Sequence, residues 1–182
     1  MKNREEMEKM LATLCDERIS YQTRLEAYEY LQEDCEEMVD AMLERFYQSQ
    51  GETADMLIEI LSEYKGNKAV YMGLVSYLYR GDDVALYARL LGKYGDESAI
   101  EVLKSFAEST DLNYNEYMEI RNAVEELGGD FDDKESDYQD DEFYRYLKGL
   151  DEAEDESRRS PFEDMFNPEE KEDDSDEDED LD

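Results

Sequence analysis

The sequence contains no histidine and no tryptophan, and only two cysteines and two prolines in 182 residues. Without histidine the chain lacks the commonest general base and the commonest metal ligand, and with them most nucleophilic triads. Cys15 and Cys35 are too few for a disulfide framework, and both fall on helical apolar stripes. They are expected to be reduced core residues of a cytoplasmic protein, with no base beside them to make them nucleophiles. The glycines are spaced out and not clustered before a Lys-Ser/Thr pair, so no phosphate-binding loop is present. No proline precedes Pro161, and nothing breaks a helix before that point. No apolar run approaches membrane-spanning length, and Met1-Lys2-Asn3-Arg4-Glu5-Glu6 has no apolar signal core, so neither a membrane span nor a secretory signal is expected.

Positive charge is the other scarcity. Lys and Arg total 19 against 54 Asp and Glu, a formal net charge of −35. A field of this size repels nucleic acid and anionic membranes, attracts basic protein surfaces, and opposes compaction of the chain that carries it. Residues 1–129 hold 13 basic and 28 acidic groups, net −15, whereas residues 130–182 hold 6 and 26, net −20 in less than half the length. The chain therefore divides into a helical domain over 1–129, an acidic linker over 130–156 and an acidic tail over 157–182. The tail has too few apolar residues to offset its ordering entropy and is expected to be disordered.

Within the first part the punctuation is regular. Gly51, Gly66, Gly81 and Gly95 stand 15, 15 and 14 residues apart, and the last three are followed by Asn67, Asp82 and Asp96. Glycine ends a helix in the left-handed conformation, and Asn or Asp caps the next one. Lys65, Arg80 and Lys93 are expected in last turns, and Glu52, Asp83 and Glu97 in first turns, where they complement the helix dipoles. Between these marks apolar residues recur at helical spacing: Met7, Met10, Leu11, Leu14, Cys15; Tyr21, Leu25, Tyr28, Leu31; Val39, Met42, Leu43, Phe46, Tyr47, opened by Asp34 and Glu37 as a variant capping box. The pattern continues with Met56, Leu57, Ile60, Leu61, Tyr64; Val70, Tyr71, Leu74, Val75, Leu78; Ala99, Val102, Leu103, Phe106; and Tyr117, Ile120, Val124, Leu127. These predict an all-α protein of about eight short antiparallel helices, in a solenoid-like stack or an orthogonal bundle, followed by the disordered acidic tail. Taken as helix pairs of about 30 residues, the Gly-Asn and Gly-Asp junctions over residues 4–127 resemble a small stack of HEAT or armadillo type. The resemblance carries no side-chain consensus and lacks the proline of such repeats.

Carboxylate chemistry is the one catalytic class left. Glu36, Glu37 and Asp40 look like half of the magnesium site of the all-helical nucleotide pyrophosphatases, but Asp55 and Glu59 are wrongly spaced for the other half. A solvated helix face is the simpler reading. No catalytic residue, metal ligand or cofactor is expected. Two apolar islands lie in the acidic part. Phe143, Leu147 and Leu150, with Tyr144 and Tyr146, form an amphipathic helix over 141–154 that suits a cap on the stack. Phe162, Met165 and Phe166 share one face of a single turn, the spacing of a groove-docking peptide. Tyr30, Tyr77, Tyr79, Tyr87 and Tyr94 do not all fit the apolar faces, and several are expected on the surface among acids.

In length, charge and lack of catalytic residues the chain is similar to small acidic inhibitors that mimic nucleic acid, of the anti-restriction and anti-CRISPR type. That likeness implies a non-enzymatic protein occupying the basic surface of a nucleic-acid-binding partner, without itself binding nucleic acid or membrane. The contacts expected are Glu36, Glu37, Asp40, Glu44, Asp82, Asp83, Asp96 and Glu97, with Phe162, Met165 and Phe166 in the tail. A helical-repeat adaptor or chaperone is the alternative, and a magnesium-dependent nucleotide hydrolase a third.

Overall fold

A computed structural model describes residues 3–33 and 35–150. The first compact unit runs to Tyr138 and holds eight α-helices of 10 to 13 residues: α1 (Arg4–Leu14), α2 (Tyr21–Gln32), α3 (Val39–Gln48), α4 (Glu52–Ser62), α5 (Lys68–Arg80), α6 (Val84–Tyr94), α7 (Ala99–Ser109) and α8 (Tyr114–Glu126). Short 3-10 turns cover Glu36–Met38 and Glu135–Tyr138, and no strand occurs among the described residues.

The packing separates a stack from a bundle. Consecutive helices pair as α1–α2, α3–α4, α5–α6 and α7–α8, and from α2 onward each also meets a helix two positions away: α2–α4–α6–α8 in one row, α3–α5–α7 in the other. Short connections force neighbours to run antiparallel, so helices within a row run parallel. The rows are tied by bonds that reach back about one helix pair. Tyr77 Oη, late in α5, donates to the carbonyls of Phe46 and Ser49 at the end of α3, both at 3.3 Å. Tyr87 Oη in α6 donates to Asp55 in α4 at 2.9 Å, and Tyr28 Oη in α2 donates to Glu59 in α4 at 3.1 Å. Arg89–Glu59 and Lys93–Glu63 ion pairs continue the α4–α6 seam. Tyrosine suits this work because its ring is buried like a hydrophobe while its hydroxyl finds a partner a full helix away.

Three of the five tyrosines expected partly at the surface are therefore core: Tyr77, Tyr87 and Tyr94 are buried, Tyr30 is half-buried and only Tyr79 is exposed. The same tertiary pairing moves the buried face of α2. Arg24, Ala27 and Leu31 are buried there, while Tyr21 is exposed and Leu25 half-buried. Arg24, 7 % exposed, is the pin of the amino-terminal end. Its Nε donates to the Leu14 carbonyl at 3.0 Å, its Nη2 to Thr53 Oγ1 at 2.7 Å and its Nη1 to Glu52 at 3.1 Å. One cation thus meets the carbonyl end of α1 and the first turn of α4, a charge-assisted clasp across three helices.

Helix ends follow local chemistry with some displacement. Gly81 (φ 76°) and Gly95 (φ 81°) adopt the left-handed conformation that closes α5 and α6. Asn67 caps α5 as expected, but Asp83 rather than Asp82 caps α6, and Asp96 caps the turn before α7 by accepting from Ser98 N at 3.0 Å. Arg80 and Lys93 fall in last turns and Glu52 in a first turn, whereas Lys65 lies beyond α4 and Glu97 ahead of α7. The capping box predicted at Asp34 and Glu37 does not open α3. Glu37 lies in the preceding 3-10 turn, α3 starts at Val39 without a side-chain cap, and Asp34 is outside the described residues. The capping box that does form joins Asn113 and Glu116 at the start of α8.

Past Gly129 the chain continues to pack. Tyr114 and Tyr117 of α8 meet Tyr138 with ring centroids 5.5 and 4.8 Å apart, Phe131 lies 5.8 Å from Tyr117, and Lys134 N donates to Tyr117 Oη at 2.9 Å. The second unit begins at Gln139; its described part is α9 (Glu142–Leu147), capped by Asp141. Phe143, Tyr146, Leu147 and Leu150 are exposed. The amphipathic helix expected over 141–154 ends at Leu147, with Lys148 as its C-cap and Gly149 in the left-handed conformation (φ 65°); residues 151–154 and the acidic tail beyond lie outside the described residues.

Candidate functional site

Alternating helix direction sends the connections to two opposite edges of the stack. The α2–α3, α4–α5 and α6–α7 junctions share one edge, and the α1–α2, α3–α4, α5–α6 and α7–α8 junctions share the other. This sorts the expected contact residues, all eight of which are exposed in the helical unit. Glu36, Glu37 and Asp40 line a shallow groove of about 300 Å³ with Val39, Tyr64, Lys65 and Asn67. Asp96 and Glu97 line a second hollow of about 460 Å³ with Lys65, Gly66, Tyr94 and Gly95. Lys65 borders both, so these five acids flank a single ridge on the first edge. Asp82 and Asp83 are on the other edge. Glu44 faces a hollow shared with Glu8, Leu11 and Arg45, toward α1. The eight acids do not form one face.

The ridge is braced from within. Tyr64, just past α4, accepts from Cys35 N at 3.0 Å, and Tyr94, thirty residues later, donates to the Asn67 carbonyl at 2.9 Å. Ser98 Oγ bonds Tyr71 Oη at 3.0 Å. The α2–α3 and α4–α5 junctions are thereby held by a tyrosine of the next repeat and the α6–α7 junction by one of the preceding repeat, and the acids project from ordered turns. The period of about thirty residues in tyrosine was the available sequence signal; only the partners were missing from it.

Not every acid is equally available. Asp83 accepts from Leu86 N at 3.0 Å as the α6 cap, and Asp82 pairs with Arg80 at 3.3 Å. Asp96 accepts from Ser98 Oγ at 2.7 Å and from its amide, and these bonds hold its carboxyl below the usual value. Glu36, Glu37, Asp40 and Glu97 enter no ion pair among the described residues.

Asp55 and Glu59 do not complete a site with Glu36, Glu37 and Asp40. Both face the α4–α6 seam, where Asp55 takes the Tyr87 bond and Glu59 is shared by Tyr28 and Arg89. Burial pushes the Asp55 carboxyl up; the Tyr87 bond opposes this, and Asp83, Glu59 and Asp82 add to it. Among the described residues no group of three Cys, Asp or Glu side chains is placed to hold a metal ion. Cys15 and Cys35 form no disulfide; the first is half-buried with its pKa raised by burial, and the second is fully buried, its thiol donating to the Glu33 carbonyl at 3.3 Å. Phe162, Met165 and Phe166 lie outside the described residues. No described helix is long and apolar enough to cross a membrane. Compared with family models, with curated proteins and with solved structures, the chain has no match in any of the three.

Proposed function

We propose that this chain is a non-enzymatic binding protein that occupies the basic surface of a nucleic-acid-binding protein and keeps nucleic acid out of it. The reading is supported by one observation above others: Glu36, Glu37, Asp40, Asp96 and Glu97 stand exposed along one edge on turns braced by Tyr64 and Tyr94. Charges carried on ordered backbone bind a complementary surface without a backbone ordering cost, and a charge excess of this size steers basic partners toward them. The anti-restriction and anti-CRISPR inhibitors remain the analogy for such a mode, and a cytoplasmic setting is part of the proposal.

The test is capture of a partner on the immobilised full chain at low salt, followed by a salt series. The variant with Glu36→Gln, Glu37→Gln, Asp40→Asn and Glu97→Gln is run beside it. Release by moderate salt, release by added nucleic acid, and loss of capture in the variant are the expected results. A partner that resists salt and ignores nucleic acid sinks the proposal.

A further inference from the structure

Acid is not spread evenly over the helical unit. Residues 64–81, which contain all of α5, hold Lys65, Lys68 and Arg80 and no Asp or Glu, although 54 of the 182 residues are acidic. Lys68 enters no ion pair among the described residues. Arg80 pairs with Asp82 at 3.3 Å and lies over the Tyr77 ring, 4.3 Å from its centroid. The acids of the flanking helices turn elsewhere. On α3, Asp40 lines the first-edge groove and Glu44 the hollow toward α1. On α7, Glu108 lines a hollow with Lys104, Phe131 and Lys134, and Glu101, seven residues earlier, shares its side of the helix. The solvent face of α5 is thus where another acidic molecule meets the least repulsion.

That face carries Lys68, Ala69, Met72, Ser76, Tyr79 and Arg80, all exposed, opposite the buried Val70, Leu74, Tyr77 and Leu78. Between residues 3 and 138 the exposed large apolar side chains are Tyr21 (55 %), Tyr47 (53 %), Met72 (49 %) and Tyr79 (54 %), and the last three lie on or beside this face. Tyr47 reaches across from α3, its Oη 3.4 Å from the Ala69 carbonyl. Tyr79 packs edge-on against Phe106 of α7, centroids 5.3 Å apart. Both rings are held in place before anything binds.

The order of these side chains is self-complementary. We infer that the α5 face is a twofold docking surface for a second copy of this chain, whose α5 runs antiparallel to the first with the axis passing beside Leu74. Residues equidistant from Leu74 then come level: Met72 with Ser76, Ala69 with Tyr79, and Lys68 with Arg80 of the second copy. Each apolar level sets one large side chain beside one small one, the condition for two helix faces to interdigitate. Tyr47 stands at the Ala69 level and adds a ring beside the incoming Tyr79. At each end Lys68 of one copy reaches the Asp82 that follows Arg80 in the other, so cation, carboxylate and cation alternate there. A basic partner meets Lys68 and Arg80 on this face. A second copy answers the cations with Asp82 and the large side chains with Ala69 and Ser76. The antiparallel pairing also sets the acidic ridge of one copy at the same end as Asp82 and Asp83 of the other. Acids that one chain divides between two edges thereby come together at each end of the pair.

Two chains of net −35 repel, so salt should strengthen the pair by shortening the range of that repulsion, the opposite of its effect on capture of a basic partner. Sedimentation equilibrium of the full chain at about 50 mM and about 500 mM salt reads this with no partner present, so the inference stands or fails apart from the proposed function. The expected result is a monomer–dimer equilibrium whose dimer fraction rises with salt. Met72→Asp, a change at an exposed position whose fold is checked by circular dichroism, should weaken association roughly tenfold or more. Charge exchange reads the register. Lys68→Glu sets carboxylate against carboxylate in its own dimer, and Asp82→Lys sets ammonium against ammonium. Each variant alone should associate roughly tenfold more weakly than the parent, while an equimolar mixture restores both opposite-charge pairs and returns to the parent's strength. Lys9→Glu mixed with Glu5→Lys on α1 changes the net charges alike and should show no such recovery. A chain that stays monomeric at about 1 mM in the higher salt overturns the inference. So does a dimer indifferent to Met72→Asp, or a mixture of Lys68→Glu with Asp82→Lys no stronger than its parts. Binding of a synthetic Leu-Glu helix to a monomeric chain, lost in Met72→Asp, overturns it in favour of an acidic partner.

Discussion

Replacing Gly92 by alanine tests the row packing at its tightest point. A Cβ at Gly92 in α6 would lie 2.9 Å from Ala123 Cα, 3.0 Å from Ala123 Cβ and 2.9 Å from a Glu126 carboxylate oxygen. Carbon pairs are at rest near ~3.5–4.0 Å. Glu126 is exposed and can turn away, but Ala123 Cα is backbone, so α6 and α8 must separate by roughly half an ångström. Such overpacking costs about 1–3 kcal/mol, against about 1 kcal/mol gained when alanine replaces glycine inside a helix. Because the clash is against backbone, the upper part of that range, about 2–3 kcal/mol, applies, and the balance is a loss of about 1–2 kcal/mol, or roughly 3–7 °C in Tm for a domain of this size. Gly73→Ala is the control. Its Cβ would meet Phe46 Cε1 at 3.1 Å and Tyr47 Oη at 3.4 Å, side-chain atoms that can yield, so its effect should stay within about 0.5 kcal/mol. Thermal and urea unfolding followed by far-ultraviolet circular dichroism reads both. Ala123→Gly in the Gly92→Ala background should restore part of the loss. A Gly92→Ala protein more stable than its parent, or one shifted no further than Gly73→Ala, would refute the parallel contact of α6 with α8.

Arg24→Met keeps an unbranched apolar stem but leaves the Leu14 carbonyl and Thr53 hydroxyl without their donor; about 2–3 kcal/mol of stability should be lost in urea unfolding, and a loss under about 0.5 kcal/mol would remove the clasp from the account. Asp55 carries the pH prediction. Its native pKa is raised above the ordinary 3.8, so the folded chain holds the proton more tightly and stability falls as pH rises from that value through the native one. Asp55→Asn, which still accepts from Tyr87, should be the more stable protein at pH 7, with the gap closing in acid; a parent at least as stable at pH 7 contradicts this.

What could be read in the chain and what could not divide along local and tertiary lines. Gly81 and Gly95 were legible because a left-handed helix end is set by one residue's own backbone, and the apolar spacing of α4 and α5 by one helix's own period. Arg24 was not legible, since a buried cation is tolerable only through partners ten and about thirty residues away. The same holds for Tyr77, Tyr87 and Tyr94, whose hydroxyls are satisfied one repeat back. The start of α3 was misplaced because Asp34 and Glu37 have the spacing of a capping box, while the backbone there turns as Glu36–Met38 and ties Cys35 to Tyr64. Of the expected contact acids, the exposure of all eight was legible from their charge. Their division between two edges followed only from the alternation of helix direction.

The most direct test of the proposed function is competition on a partner captured in the salt series. The full chain is titrated into that partner's preformed complex with nucleic acid, and the free nucleic acid is measured. A protein that occupies the basic surface should release the nucleic acid completely at one equivalent at low salt, with the effect fading toward ~1 M salt, where screening shortens to about 3 Å. A ternary complex, or nucleic acid that stays bound with the chain in excess, would contradict it.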